Sequence, residues 1–187
     1  MRSHWWTPIA VVALLVPVFA SLGLFAPAKA LAARPVTTLT FGELQFQPVN
    51  GLSTAGITFG FTVGGSPSTD ANYNAGGPGS GEFVQDPSLE GNSAGTLSIA
   101  FDKPTTIINF GIARSCSCSL ADGAIVDVFG PGGRSRGTFN VATSPAPFFS
   151  EWEFTYHGPA VNRIVVTFGS PGVAARFALD NLTFARQ

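Results

Sequence analysis

The residues with the clearest chemical potential lie near the C-terminus, where Asp180 and Asn181 interrupt an otherwise apolar strand. Counting with a period of two places Phe177 and Leu179 on one face and the apolar residues after Asn181 on the other. A β-bulge, which adds one residue, would explain this change of face. Because an unpaired buried carboxylate is costly, we expect Asp180 to be hydrogen-bonded or bound to a cation.

Other side chains that could act in catalysis are few. Glu151 and Glu153 lie two residues apart on one face of a predicted strand. Paired carboxylates serve glycoside hydrolysis only when they flank the scissile bond, and neighbouring glutamates on a strand more often form a solvated outer face. A Ser–His–Asp arrangement would depend on His157, in a predicted Gly-Pro turn. We predict no catalytic residues and no enzyme, and we rank a secreted glycoside hydrolase third among the possible functions.

Two cysteines, Cys116 and Cys118, stand one residue apart. Export from the cell would permit a disulfide between them, although a ring closed across one residue is strained. A zinc site is disfavoured, because zinc takes four ligands and His157 is the one histidine after the first thirty residues. The disulfide and the reduced pair remain alternatives at this point.

Aromatic side chains supply the candidate ligand-binding residues. The four that we expect to be exposed are Tyr73, Phe148, Phe149 and Trp152. Tyr73 lies in residues 64–81, a Gly-, Ser- and Asn-rich stretch that predicts either a functional loop or a plain surface insertion. Aromatic groups beside a few polar ones are typical of ligand pockets. Trp152 could instead belong to the core, because it alternates in phase with Phe154 and Tyr156.

The elements that must position these residues are short strands. Alternating or continuous apolar residues predict strands over residues 36–41, 57–61, 97–101, 108–112, 125–129, 137–142, 152–156, 162–168 and 176–184. Asp102-Lys103-Pro104 predicts a hairpin turn, His157-Gly158-Pro159 a second turn, and Phe83-Val84 a further short strand. About nine strands without a helix predict an all-β fold, an antiparallel β-sandwich, and favour a jelly roll.

The first thirty residues have the pattern of a signal peptide. Arg2 precedes an apolar run over residues 9–25, and Ala28-Lys29-Ala30 matches a cleavage site. We predict cleavage after Ala30, which leaves one domain, residues 31–187. An uncleaved membrane anchor is the alternative, because the apolar run is long for a signal peptide.

The charge balance restricts the possible partners. Without Arg2 and Lys29 the chain has eight basic and eleven acidic residues. Nucleic acids and anionic membranes are bound through basic patches, so we expect neither as a partner. We predict a secreted or extracellular protein that has no membrane contact after signal cleavage.

Three segments carry a resemblance to a known family. They are Leu39-Thr40-Phe41-Gly42-Glu43-Leu44, the predicted hairpin from Leu97 to Phe110, and Phe177-Ala178-Leu179-Asp180-Asn181-Leu182. Together they resemble the jelly-roll ectodomains of exported bacterial surface proteins, especially those with a PEP-CTERM sorting tail. They are more distantly similar to β-sandwich carbohydrate-binding modules. The sequence ends at Arg186-Gln187 without a sorting motif, which favours free secretion over covalent sorting.

The resemblance implies a metal site. In such sandwich modules, an acidic residue near the first strand and an aspartate in the last strand often share a structural calcium ion. The matching positions are Glu43 and Asp180, with carbonyl oxygens near Gly42, with or without Asn181, completing the shell. The alternative is that Asp180 accepts backbone hydrogen bonds at a bulge.

The resemblance also suggests a function. Sugar-binding sandwiches stack a pyranose ring on exposed aromatic side chains. Our leading hypothesis is a secreted, non-enzymatic domain that binds an extracellular glycan or another cell-surface polymer. The second is a structural or adhesive protein with no small ligand. Exposed aromatic residues in one shallow groove would favour the glycan-binding domain. Long, flat edge strands would favour the structural or adhesive protein. Two buried carboxylates that face a cleft would favour the hydrolase.

Overall fold

Most residues between 35 and 185, the part of the chain that the computed structural model describes, lie in β-strands. The predicted signal peptide, residues 1–30, lies outside this part. The strands are β1 (Val36–Leu39), β2 (Gln47–Pro48), β3 (Ser53–Thr54), β4 (Ile57–Val63), β5 (Ser66–Pro67), β6 (Ala71–Ala75), β7 (Ser88–Asn92), β8 (Gly95–Arg114), β9 (Leu120–Phe129), β10 (Ser135–Pro145), β11 (Ser150–Phe168) and β12 (Arg176–Ala185). A single 3-10 turn, Pro131–Gly133, lies between β9 and β10. No helix in residues 35–185 has the length and apolar character needed to cross a membrane.

The strands form two layers. The first sheet contains β4, the first part of β8, the last part of β11, β9 and β10. The second sheet contains the first part of β11, the last part of β8, β12, β7, β6 and β2, and β1 pairs with the end of β12. Every pairing is antiparallel. The prediction of an all-β antiparallel β-sandwich is therefore confirmed, and nine of its twelve strands have four or more residues.

The long strands β8 and β11 run through both sheets, and this corrects two predicted turns. Asp102-Lys103-Pro104 does not reverse the chain, because residues 95–114 form one continuous strand. His157-Gly158-Pro159 likewise lies within β11. The pairing of the two strands shifts register near Val161, where each strand bends from one sheet to the other. Proline and glycine interrupt the pairing there, and the local sequence does not distinguish such a bend from a hairpin.

Residues 64–81 are not one long loop. They contain the short strand β5 and the strand β6, in which Ala71, Tyr73 and Ala75 are buried and alternate with asparagines. Alanine and asparagine give a weak apolar period, which explains why the sequence pattern missed this strand. Conversely, Phe83-Val84 is not a strand but part of a segment that packs on the outer face of the second sheet.

Apolar residues from both sheets meet in one core. Strand β12 contributes Phe177 and Leu179 before its midpoint and Leu182 and Phe184 after it. Its register against β8 shifts between Asp180 and Thr183, and Asn181 has a φ of 54°. The predicted bulge is confirmed. Its extra residue changes the phase of the strand, so that both apolar pairs face the same core.

Candidate functional site

The most prominent surface feature is a cleft between β10 and β11. These strands pair at only two positions, Ser144 with Glu151 and Pro145 with Ser150, and then diverge into different sheets. The gap between them has a volume of about 480 Å³. Its apolar lining comes from Phe139, Val141, Trp152 and Phe154. The Phe139 ring lies 5.7 Å from that of Phe154, at an angle of 68°.

Two further depressions continue this cleft around the β10–β11 connection. One of about 310 Å³ is lined by Phe83 and shares Ser144 and Trp152 with the first cleft. The next, of about 240 Å³, is lined by Phe148 and Phe149 and shares Ala146, Pro147 and Glu151 with the second. We call the three clefts together the aromatic groove. The rings that line it are Phe139, Phe154 and Trp152 in the first cleft, Phe83 with Trp152 in the second, and Phe148 and Phe149 in the third.

The groove gathers three of the four aromatic residues that the sequence singled out. Phe148 is 78% exposed and Trp152 is 49% exposed, so Trp152 is not a core residue. Phe149 is half-buried beside Phe83. Sequence reasoning missed Phe83 and Phe139, because neither differs locally from an ordinary strand residue.

Tyr73, the fourth candidate, was wrongly expected to be exposed. It is fully buried in β6, and its ring lies 5.0 Å from the ring of Phe41. Its hydroxyl donates a hydrogen bond of 2.5 Å to Oε2 of Glu43. Burial and the neighbouring carboxylate raise the pKa of Tyr73. Tyr73 is therefore a core residue whose hydroxyl is bound to Glu43, and it does not line the groove.

Asp180 is buried, with 3% of its surface exposed. Its Oδ2 accepts the N–H of Gln85 at 3.0 Å, and its Oδ1 accepts the N–H of Asn181 at 2.7 Å. Burial raises the pKa of Asp180, the two backbone hydrogen bonds lower it, and the charges of Glu43 and Asp86 raise it further, with a net upward shift. Backbone hydrogen bonds at a bulge, one of the two roles considered for Asp180, are thus present.

Glu43 lies near the surface beside β1. Its Oε1 accepts hydrogen bonds from the N–H and hydroxyl of Thr40, at 2.7 and 3.0 Å. Burial raises the pKa of Glu43, but the bonds from Tyr73 and Thr40 lower it, and the net shift is downward. Residues 35–185 contain no group of three His, Cys, Asp or Glu side chains placed to hold a metal ion. A calcium ion shared by Glu43 and Asp180 stays a prediction.

The two glutamates considered for catalysis have different environments. Glu151 is only 8% exposed and accepts backbone N–H groups from the segment that carries Phe83, so a solvated outer face was the wrong expectation for it. Glu153 is exposed and accepts a hydrogen bond of 2.8 Å from Asn109. Glu153 lines the first cleft, whereas Glu151 lines the second and third. The two carboxylates do not face each other across one cleft.

The cysteine loop supports one end of the groove. Cys116 and Cys118 are joined by a disulfide, with their Cα atoms 5.3 Å apart. Between them, the hydroxyl of Ser117 donates a hydrogen bond of 3.0 Å to the carbonyl oxygen of Pro147. This bond connects the loop to the turn that carries Phe148.

Comparisons with known proteins give fold-level similarity alone. No protein-family model and no curated protein matches the chain. Among solved structures, a family 29 carbohydrate-binding module is 13% identical, with a TM-score of 0.42, over 82% of this chain and 93% of that one. A family 29 module from Piromyces equi is 15% identical, with a TM-score of 0.40, over 76% of this chain and 91% of that one. At this similarity neither residue roles nor ligands transfer to this chain.

Proposed function

We propose that this protein is an exported, non-catalytic β-sandwich that binds an extracellular glycan or another cell-surface polymer through the aromatic groove. The observation that carries the proposal is the grouping of exposed aromatic side chains, Trp152 and Phe148 above all, in three neighbouring clefts that share lining residues. An aromatic ring offers a flat apolar face that matches the C–H face of a sugar, and burial of such rings dominates binding energies at interfaces.

Polar residues also line the first cleft. Asn140, Ser144, Glu153 and Thr155 line the first cleft with Trp152. Glu153 and Thr155 alternate with Trp152 and Phe154 along β11, so their side chains point to the opposite face of the strand, where Asn109 donates hydrogen bonds to both. Apolar faces combined with a few fixed polar groups are characteristic of small-ligand sites.

The competing functions have less support. An adhesive protein that assembles edge to edge needs a long flat edge strand, but the pairing of β10 is irregular near both of its ends, and such bulges protect an edge from pairing. A hydrolase needs two carboxylates free to act on one bond. The buried carboxylates of Glu151 and Asp180 are instead engaged with backbone N–H groups.

The proposal is tested by a glycan-array screen, followed by affinity electrophoresis in gels that contain hydroxyethylcellulose, glucomannan or arabinoxylan. We expect Trp152→Ala to weaken binding about tenfold, the usual effect of removing a central interface aromatic. Phe46→Ala is the matched control, because Phe46 is 65% exposed and lies outside the groove. We expect it to bind like the wild type.

Two results would contradict the proposal. One is a folded wild-type protein that binds no glycan on the array and migrates normally in every gel. The other is a Trp152→Ala variant that binds as tightly as the wild type. Equal loss of binding in Trp152→Ala and Phe46→Ala would place the site outside the groove.

A further inference from the structure

The carboxylate of Glu151 holds three successive backbone N–H groups. Its Oε1 accepts the N–H of Glu82 at 2.9 Å, and its Oε2 accepts those of Phe83 and Val84 at 3.0 and 3.2 Å. Hydrogen bonds to a charged acceptor are stronger than neutral ones, and three of them on one side chain fix a segment firmly. Glu151 thus links β11 to a segment that has no strand pairing of its own at these residues.

Close backbone packing shows that this segment sits directly on the sheet. A Cβ atom at Gly111 of β8 would lie 2.0 Å from the carbonyl oxygen of Phe83. A Cβ atom at Gly81 would lie 2.5 Å from Oε2 of Glu151. Both positions must therefore be glycine for the segment to approach the sheet and the carboxylate as it does.

The segment places an aromatic ring in the middle cleft of the groove. The ring of Phe83 lies 5.8 Å from that of Trp152, inclined at 50°. Both rings line the middle cleft, and Glu151 directly precedes Trp152 on β11. The position of the Phe83 ring therefore depends on the bonds that its own backbone makes to Glu151.

We propose that Glu151 is a positioning residue for the aromatic groove, which fixes the Phe83 ring against Trp152 and so builds the middle of the binding surface. This inference rests on the proposed function for its effect on binding. The positioning itself is a property of the fold and is measurable without a ligand.

The test uses the full chain carrying Trp5→Phe and Trp6→Phe, so that all tryptophan fluorescence comes from Trp152. Glu151→Gln keeps the size of the side chain but presents an amide to the N–H donors. We expect its Trp152 emission to shift to the red and to become more readily quenched by acrylamide. In the three polysaccharide gels we expect binding about tenfold weaker than that of the parent. Glu90→Gln, which removes a carboxylate outside the groove, is the control and should change neither the Trp152 fluorescence nor the binding to the polysaccharides.

A second variant separates positioning from general destabilisation. Phe83→Ala removes the ring and leaves Glu151 intact, and we expect the same red shift and the same loss of binding. If Glu151 acts through Phe83, the double variant Glu151→Gln/Phe83→Ala binds no more weakly than Phe83→Ala. A role confined to folding stability would not produce this non-additivity.

Several results would overturn the inference. They are parent-like fluorescence in Glu151→Gln, parent-like fluorescence and binding in Phe83→Ala, and fully additive losses in the double variant. If Glu151→Gln does not fold, Phe83→Ala still decides whether the ring pair forms the binding surface. If the parent binds none of the polysaccharides, the proposed function fails, while a red shift in Glu151→Gln and Phe83→Ala would still establish that Glu151 positions Phe83.

Discussion

Asp180 illustrates how one polar residue can organise an apolar strand. It lies where β12 changes phase, and its carboxylate accepts the N–H of Asn181 within the bulge and that of Gln85 from the segment above. Without this carboxylate, the backbone N–H groups of Asn181 and Gln85 would lose their hydrogen-bond acceptor. The aspartate therefore fixes both the bulge and the neighbouring segment.

We predict that Asp180→Ala lowers the free energy of unfolding by about 1–3 kcal/mol, the cost of leaving buried donors unpaired. Urea denaturation followed by circular dichroism measures this change. Asp102→Ala, which replaces an exposed aspartate, is the control and should unfold like the wild type. An Asp180→Ala variant as stable as the wild type would refute the anchoring role.

Removal of calcium tests the metal prediction separately. If Glu43 and Asp180 share a calcium ion, a chelator lowers the melting temperature of the wild type, and added calcium restores it by linkage, by about 2.7 kcal/mol at a hundredfold excess over Kd. Glu43→Ala does not discriminate, because it also removes the hydrogen-bond partner of Tyr73. A melting temperature that is the same with chelator, with added calcium and with neither would exclude the metal site.

Tyr73 gives a pH-dependent prediction. Because the pKa of Glu43 is lowered below its ordinary value of 4.5 in the folded state, its ionised form stabilises the fold above that pH, and this stabilisation is lost as the pH falls. Tyr73→Phe removes one of the hydrogen bonds that lower the pKa of Glu43. We expect this variant to lower the free energy of unfolding by about 1–2 kcal/mol at pH 7 and by less below pH 4, measured by urea denaturation at both pH values, and to leave glycan binding unchanged. Equal destabilisation at both pH values, or loss of binding, would contradict this role.

At the scale of elements, the two long strands determine the shape of the sandwich. β8 and β11 each contribute to both sheets, so the sheets are held together by continuous backbone as well as by side-chain packing. The groove is a consequence of the same design. β10 stays beside β9 in the first sheet, whereas the first part of β11 lies in the second sheet, so the two strands pair with each other at only two positions and the space between them opens.

The end of β8 is held by a buried cation, Arg114, which is fully inaccessible to solvent. Its guanidinium donates to the carbonyl oxygens of Gly123, Gly169 and Ala174, and it lies 5.5 Å from the centre of the Phe168 ring. Burial lowers its pKa to about 10, so it remains charged at neutral pH. Arg114 joins the end of β8 to the start of β9 and to the β11–β12 connection.

We predict that Arg114→Met destabilises the fold by about 3 kcal/mol or more, because it leaves the carbonyl oxygens of Gly123, Gly169 and Ala174, two of them in buried hydrogen bonds, without their donor. Arg114→Lys should rescue little, since an ammonium group lacks the fork that reaches several carbonyls. Chemical denaturation measures both, with the exposed Arg134→Met as control. A stable Arg114→Met variant would show that this guanidinium does not hold the three segments together.

At the scale of the whole molecule, location is the main open prediction. The Arg2 start, the apolar run and Ala28-Lys29-Ala30 predict export with cleavage after Ala30. Mass spectrometry of the culture medium should then show a protein that begins at Leu31. Recovery of full-length protein in the membrane fraction alone would indicate the alternative, an uncleaved anchor.

The sequence by itself determined the fold class, the bulge at Asp180 and three of the aromatic residues in the groove. These follow from short-range patterns: alternation with a period of two, a polar pair within an apolar strand, and aromatic residues expected to be exposed. Such patterns depend only on residues close together in the sequence. At these positions the structure that the local sequence favours is also the one found in the folded protein.

Only the tertiary structure decided which residues meet. Tyr73 is buried because β6 packs against the core. Its alanine and asparagine neighbours give no clear strand pattern in the sequence. Glu151 is an anchor because a segment about seventy residues earlier in the chain lies over it, and Phe83 reaches Trp152 by the same route. These contacts join parts of the chain that are distant in sequence, so their energies depend on the packing of the whole sandwich and leave no local pattern to read.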